Sequence, residues 1–166
     1  AFVDGFYYKP RIDYDLLEQY HEGLVCLSAC LAGDIPQLLL QRRYEDAKAL
    51  AGRLKGIFGD DFYIEIQNHG IPEQLEVLPQ LVKLAKELDI KYVATNDIHY
   101  VKKEDAESQD VLLCIQTNRV VTDGNRMKMS ADEFYLKSEE EMRELFADVP
   151  SAIDNTQLIA DRCNFD

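Results

Sequence analysis

Lys91-Tyr-Val-Ala-Thr-Asn-Asp-Ile-His-Tyr100 is the stretch on which the fold turns. Tyr92, Val93, Ala94 and Thr95 are apolar or β-branched, as a strand prefers, and the run then breaks abruptly into polar residues. Asp97 and His99 stand two apart, and in an extended backbone residues i and i+2 point to the same face. A carboxylate and an imidazole would then leave one strand tip side by side, a pair suited to a divalent metal ion. The plainer reading of an Asp-x-His pair is that both side chains hydrogen-bond neighbouring backbone.

Upstream of this strand the pattern is helical. Pro72 suits a first helical turn, and Leu75, Leu78, Val82, Ala85 and Leu88 form an expected buried stripe. Before it, Asp61-Phe-Tyr-Ile-Glu-Ile-Gln67 alternates partly, with Phe62, Ile64 and Ile66 on one face and Tyr63, Glu65 and Gln67 on the other. Two helices are expected between Ile35 and Phe58, the first around Leu38, Leu39 and Leu40. The second carries Ala47, Leu50, Ala51, Leu54 and Phe58 at spacings of three and four. Earlier still, Gly23-Leu-Val-Cys-Leu-Ser-Ala-Cys30 is apolar on both faces, as befits a buried strand of a parallel sheet. Asp13 can cap a short helix, Tyr14 to Tyr20, while residues 1–12 are aromatic without a clear period and read as a loop.

Downstream, Glu104 to Gln116 reads as a helix with Ala106, Val111, Leu112 and Ile115 apolar. Thr117 to Ala131 is polar, with Asp123-Gly124 as a turn, and Phe134-Tyr-Leu136 is a short strand at most. Ser138-Glu-Glu-Glu141 matches a capping box that opens a helix through Phe146, and its acidic run complements the helix dipole. Pro150 begins a last helix with Ala152, Ile153, Thr156, Ile159, Ala160 and Cys163 on one face. This helical pair is expected to lead toward a following domain rather than to join the sheet. The alternation of strands and helices before it predicts an α/β fold with parallel strands, either an open sheet or part of a (βα) barrel.

The chain has 166 residues, 46% hydrophobic and 30% charged, enough for one domain with a real core. Its net charge of −13 is spread as −6 over residues 1–100 and −7 over residues 101–166, so neither half carries a basic footprint for nucleic acid. Four cysteines without a Cys-x-x-Cys, and no signal peptide, predict reduced thiols in a cytoplasmic protein. No apolar run reaches the roughly 20 residues that span a bilayer. A start at Ala1 in an expected loop predicts a fragment of a longer protein.

Chemistry in parallel α/β folds gathers at the carboxyl ends of strands. Three such ends deliver polar groups here: Ser28 and Cys30, then Glu65 to His69, then Asp97 and His99. A thiolate, a carboxylate and an imidazole on one rim would fit Zn²⁺, Mn²⁺ or Fe²⁺. Cys26, Cys114 and Cys163 read as buried small hydrophobes, a reading open to Cys30 as well. His69 is read as a turn residue ahead of Gly70, with support of the metal site as the alternative. His21 lies at a helix end, where a cation is favourable. There is no Gly-x-Ser-x-Gly, P-loop or dinucleotide fingerprint.

Several segments occur together in a recognisable order: Gly23 to Cys30, Phe62-Tyr-Ile-Glu-Ile-Gln-Asn-His-Gly70, Val93 to Tyr100, Asp110-Val-Leu-Leu-Cys-Ile-Gln116 and Ile159-Ala-Asp-Arg-Cys-Asn164. With them the chain resembles the alpha subunits of the C-family bacterial replicative DNA polymerases. The resemblance covers essentially the whole chain. It implies the second half of a polymerase-and-histidinol-phosphatase (PHP) domain over residues 1–116, followed by a helical connection toward the polymerase palm over residues 117–166. The fold implied is part of a distorted PHP-type (βα)7 barrel, whose rim holds up to three metal ions.

By the same resemblance Cys30, Asp97 and His99 fall on metal-ligand positions. The remaining ligands, including a His-x-His pair, lie upstream, and the polymerase aspartates that use Mg²⁺ lie downstream. The activity implied for the parent is that of a DNA-directed DNA polymerase, a nucleotidyltransferase of chromosome replication. Its PHP domain would add a metal-dependent 3′–5′ exonuclease site, with metal ions activating a water and stabilising phosphate charge. Primer-template DNA and other replicase subunits would be engaged through other domains, and the isolated chain is expected to be inactive and to self-associate along unpaired strand edges. Two other readings are a non-catalytic platform that docks a proofreading exonuclease and a PHP-type small-molecule phosphoesterase. The polymerase-like segments Asp110 to Gln116 and Ile159 to Asn164 count against the second.

Overall fold

The computed structural model describes residues 3 and 5–164, so the expected loop start at Ala1 lies outside the described residues. A hairpin opens the chain: β1 (Phe6–Tyr7) pairs antiparallel with β2 (Lys9–Pro10) around Tyr8, which adopts a left-handed φ of 59°. Helix α1 (Tyr14–Tyr20) follows, and Asp13 caps it by accepting the Leu16 amide at 2.9 Å. Then come β3 (Cys26–Leu27), α2 (Asp34–Leu40), α3 (Tyr44–Phe58), β4 (Phe62–Ile66), α4 (Pro72–Glu87) and β5 (Lys91–Ala94). The C-terminal part holds α5 (Ala106–Thr117), α6 (Glu139–Leu145) and α7 (Ser151–Arg162).

The expected parallel sheet is present, with β4 between β3 and β5 and every pairing parallel. Cys26 faces Phe62, Tyr63 faces Lys91 and Ile66 faces Ala94. The ladder runs one step further on each side, Ser28 donating to the Tyr63 carbonyl and Thr95 to the Ile66 carbonyl, both at 3.1 Å. This register aligns the three carboxyl ends, so the residues after Ser28, Ile66 and Thr95 leave the sheet at one edge. Both faces of β4 are covered, including that of Tyr63, which is fully buried. Coverage of both faces is the usual condition of a parallel strand between helices.

Helix α4 is rotated from its expected register. Gln74, Val77, Leu81, Val82, Leu84 and Ala85 are buried, whereas Leu75 is half exposed. Leucines are dense enough on this helix for two stripes one residue apart to look equally apolar. The buried Gln74 amide settles the choice because its partner, His69, is also inside.

The last two helices do not stand away from the sheet. Phe146, Val149, Ala152 and Ile153 belong to the same core as Ile64, Ile66 and Ala94. Asn155 of α7 donates to the Tyr92 carbonyl of β5 at 2.8 Å, and Ser151 donates to the Tyr92 hydroxyl at 3.1 Å. The physical reason is that β5 would otherwise leave apolar residues in water, and α7 is the element that removes them. Cys163, expected inside, is exposed at the end of α7, while Cys114 is buried as expected. Among the described residues no helix is long and apolar enough to cross a membrane.

Candidate site at the carboxyl ends of the strands

Strand β5 ends at Ala94, and the chain beyond it turns rather than continuing as a pleat. Asp97 takes a left-handed φ of 54°, a conformation that costs an L-residue roughly 1–2 kcal/mol and that Asp tolerates better than most. The turn brings its carboxylate to His99, whose Nε2 donates to Asp97 Oδ1 at 3.1 Å. The predicted proximity is therefore real, although a turn produces it and not the alternation of a strand. Both side chains reach solvent, with His99 40% and Asp97 42% exposed.

The segment around Phe134 braces this tip. The His99 amide donates to the Phe134 carbonyl at 2.8 Å, and the Asn96 side-chain amide donates to the Tyr135 carbonyl at 2.6 Å. Lys137, nearly buried, holds the Glu133 carbonyl and lies over the Tyr135 ring at 4.2 Å. A parallel bridge between Tyr100 and Tyr135 completes the brace, the short strand expected near Phe134.

His69 lies in the bend ahead of Gly70, as expected, and it is buried there. Its ring stacks on Phe134 with centroids 4.3 Å apart, and the His99 ring meets the same phenyl edge-on at 5.6 Å. Nε2 lies 2.5 Å from the Asn96 carbonyl, while Nδ1 faces the Gln74 amide nitrogen at 3.0 Å. Neither Gln74 nor Phe134 stood out in the sequence. The available signal for Gln74 was a polar residue on the helical face that closes over β4.

Cys30 is exposed in the turn after β3, which Ala29 enters at a φ of 67°. Gly33 closes that turn by donating to the Cys30 carbonyl at 2.8 Å, and a Cβ on it would approach the Ser28 carbonyl to 2.6 Å. Cys30 lines a small recess with Glu65, Gln67 and Gln74. The Glu65 carboxylate is already engaged, accepting from the Thr95 hydroxyl at 2.5 Å and from Gln67 at 3.3 Å. Cys26, next to this turn, is half-buried, and burial pushes its thiol above the ordinary value.

The structure thus joins two of the three expected donors and leaves Cys30 in a neighbouring recess. Among the described residues no group of three His, Cys, Asp or Glu side chains is placed to hold a metal ion. Two donors bonded to each other do not complete a coordination shell, which for a structural or catalytic zinc takes three or four protein ligands. The donor set of this chain by itself therefore does not fit a closed metal site.

A family model described as "PHP domain" matches residues 1–69. The DNA polymerase III subunit alpha of Borreliella burgdorferi is 52% identical over 164 residues, covering 99% of this chain and 14% of that protein. The same subunit of Treponema pallidum is 50% identical over 165 residues, again with 99% and 14% coverage. That of Campylobacter jejuni is 46% identical over 176 residues, covering all of this chain and 15% of that protein. The chain spans about one seventh of the length of these relatives, and its open parallel sheet with flanking helices is consistent with a partial α/β PHP fold. Over nearly its whole length, then, the chain is homologous to one segment of the DNA polymerase III alpha subunits, a segment that includes PHP-domain sequence.

Proposed function

We propose that this chain is a segment of a bacterial DNA-directed DNA polymerase of chromosome replication. The observation that carries the reading is about half identity across 99% of the chain to DNA polymerase III alpha subunits. Residues 1–116 are assigned to the second half of a PHP domain and residues 117–166 to the connection toward the palm. The catalytic and DNA-contacting groups of the polymerase would lie in the rest of the protein. Primer-template DNA and other replicase subunits would be partners of that whole, not of this segment alone.

In the complete domain Cys30, Asp97 and His99 would donate to a divalent metal site of Zn²⁺, Mn²⁺ or Fe²⁺, together with ligands from residues that precede this segment. A 3′–5′ exonuclease activity is the chemistry such a site would serve. The test is metal analysis and exonuclease assay of the full-length protein beside its His99→Ala variant. Loss of bound metal and of nuclease activity, with primer extension retained, is expected. Full metal content with undiminished nuclease activity would remove the ligand assignment.

A second reading has its own support. Asp97 and His99 satisfy each other here, and Glu65 is held by Thr95 and Gln67, so the strand ends also make a self-consistent structural network. On that reading the segment is a platform for the polymerase or for a separate proofreading exonuclease. A His99→Ala protein that loses stability but neither metal nor nuclease activity would favour it.

A further inference from the structure

We propose that His69 is the positioning residue of the Asp97–His99 tip, acting as a fixed Nε2–H tautomer between Gln74 and the Asn96 carbonyl. The tautomer follows from the neighbours. The Asn96 carbonyl oxygen, 2.5 Å from Nε2, only accepts, so the ring proton sits on Nε2 and points at that oxygen. In the neutral ring Nδ1 is then the acceptor, and it faces the Gln74 amide nitrogen at 3.0 Å, with Gln74 Oε1 at 3.2 Å. Gln74 Oε1 accepts the His69 backbone N–H at 2.7 Å.

The Asn96 carbonyl and the Asp97 amide belong to one planar peptide unit. Holding the oxygen fixes that plane, from which Asp97 departs with its left-handed φ of 54°. The ring also stacks on Phe134, the residue whose carbonyl receives the His99 amide and whose phenyl packs against the His99 ring. His69 therefore touches both the backbone that presents Asp97 and the wall that orients His99. Gln74 extends the support, since it also lines the recess of Cys30. A single buried imidazole ties the start of α4 to the tip beyond β5.

The positioning role rests on the tip being functional, and the test separates the two. Amide exchange at residues 96–99 is measured by NMR in the 166-residue chain for wild type, His69→Phe and His69→Gln. Phenylalanine keeps a ring for Phe134 but has no donor; glutamine keeps a donor at about the reach of Nε2. His69→Phe is expected to speed exchange at Asp97 and His99 by about tenfold, with Ile64 and Leu84 unchanged, as for local opening, and His69→Gln to recover most of the protection. If His69→Phe does not fold, Gln74→Leu, which removes the partner of Nδ1, is expected to give the same local pattern.

Unchanged exchange at residues 96–99, or equal acceleration across β4 and β5, would overturn the proposal. A separate arm measures bound metal in the full-length protein, wild type beside His69→Phe and His69→Gln. Metal lost in His69→Phe and regained in His69→Gln is expected. No metal in the wild-type protein would count against the metal reading alone, leaving the exchange result to judge His69.

Discussion

Arg126 grips Asp110 through two parallel hydrogen bonds, Nη1 to Oδ1 at 2.5 Å and Nη2 to Oδ2 at 2.6 Å. The guanidinium, only 9% exposed, also reaches the Val121 carbonyl through Nε at 3.1 Å. One side chain thereby ties the irregular stretch after α5 back onto α5. The hydrogen bond from Arg126 holds the Asp110 carboxyl below its ordinary 3.8. A carboxyl whose folded value lies below its unfolded one contributes stability that is fully present above the unfolded value and lost as pH falls through the folded one. Residues 118–131 are therefore expected to stay protected at neutral pH and to loosen on acidification below about pH 4. Asp110→Asn should remove that pH dependence, and Arg126→Lys should loosen the stretch at pH 7, because an ammonium cannot supply the planar fork. Amide exchange corrected for its intrinsic pH dependence measures both; an unchanged profile in Asp110→Asn would contradict the first.

Thiol accessibility gives a second expectation. Cys30 and Cys163 are exposed, Cys114 is buried, and Cys26 is half-buried with its thiol pushed up by burial. Reactivity follows exposure and thiolate fraction. Cys30 and Cys163 are expected to react promptly with a thiol reagent in the native state, Cys26 slowly and Cys114 only on unfolding. Mass mapping of the labelled sites reads the order. Prompt labelling of Cys114 would show that α5 is not seated as described.

The parallel sheet could be read from the sequence because Gly23 to Cys30 is apolar on both faces and strand-like runs alternate with helices that keep a clear period. Helix α4 shows where that reading fails: period alone allowed two stripes, and the choice depended on Gln74 meeting His69, a contact that no local pattern encodes. On α5 the apolar Val111, Leu112 and Ile115 are exposed, while Leu113 and Cys114 are inside. The site was legible in part. Asp97 and His99 do meet, but through a left-handed turn after the strand ends, and the position of Cys30 depends on how the turn at Ala29 and Gly33 is closed. The brace from Phe134 to Lys137 arrives from far along the chain and was visible only as a weak strand.

Charge sets the third expectation. A net charge of −13 opposes the phosphate backbone, and binding to nucleic acid draws mainly on cations that displace counterions. The chain is expected to bind primer-template DNA no tighter than about 100 μM at physiological salt. A fluorescence anisotropy titration is sufficient. Nanomolar affinity would require a basic contact surface that the even charge distribution does not suggest.

The seating of α7 on β5 supplies the most discriminating test of the fold. Ile153 is 7% exposed and Ala152 is fully buried, both in the core that holds Ile64 and Ala94. Truncating a buried isoleucine removes transfer free energy and leaves a cavity, typically about 2–5 kcal/mol in all. Ile153→Ala is therefore expected to lower the unfolding free energy of the whole chain by about that amount. Asn155→Ala, which leaves the Tyr92 carbonyl without its side-chain donor, should cost about 1–3 kcal/mol. With no tryptophan in the chain, urea unfolding is followed by far-ultraviolet circular dichroism and tyrosine emission. One cooperative transition shifted in both signals would place α7 inside the folding unit. A helix that served only as a detached connection would instead melt by itself, and Ile153→Ala would leave the main transition where it was.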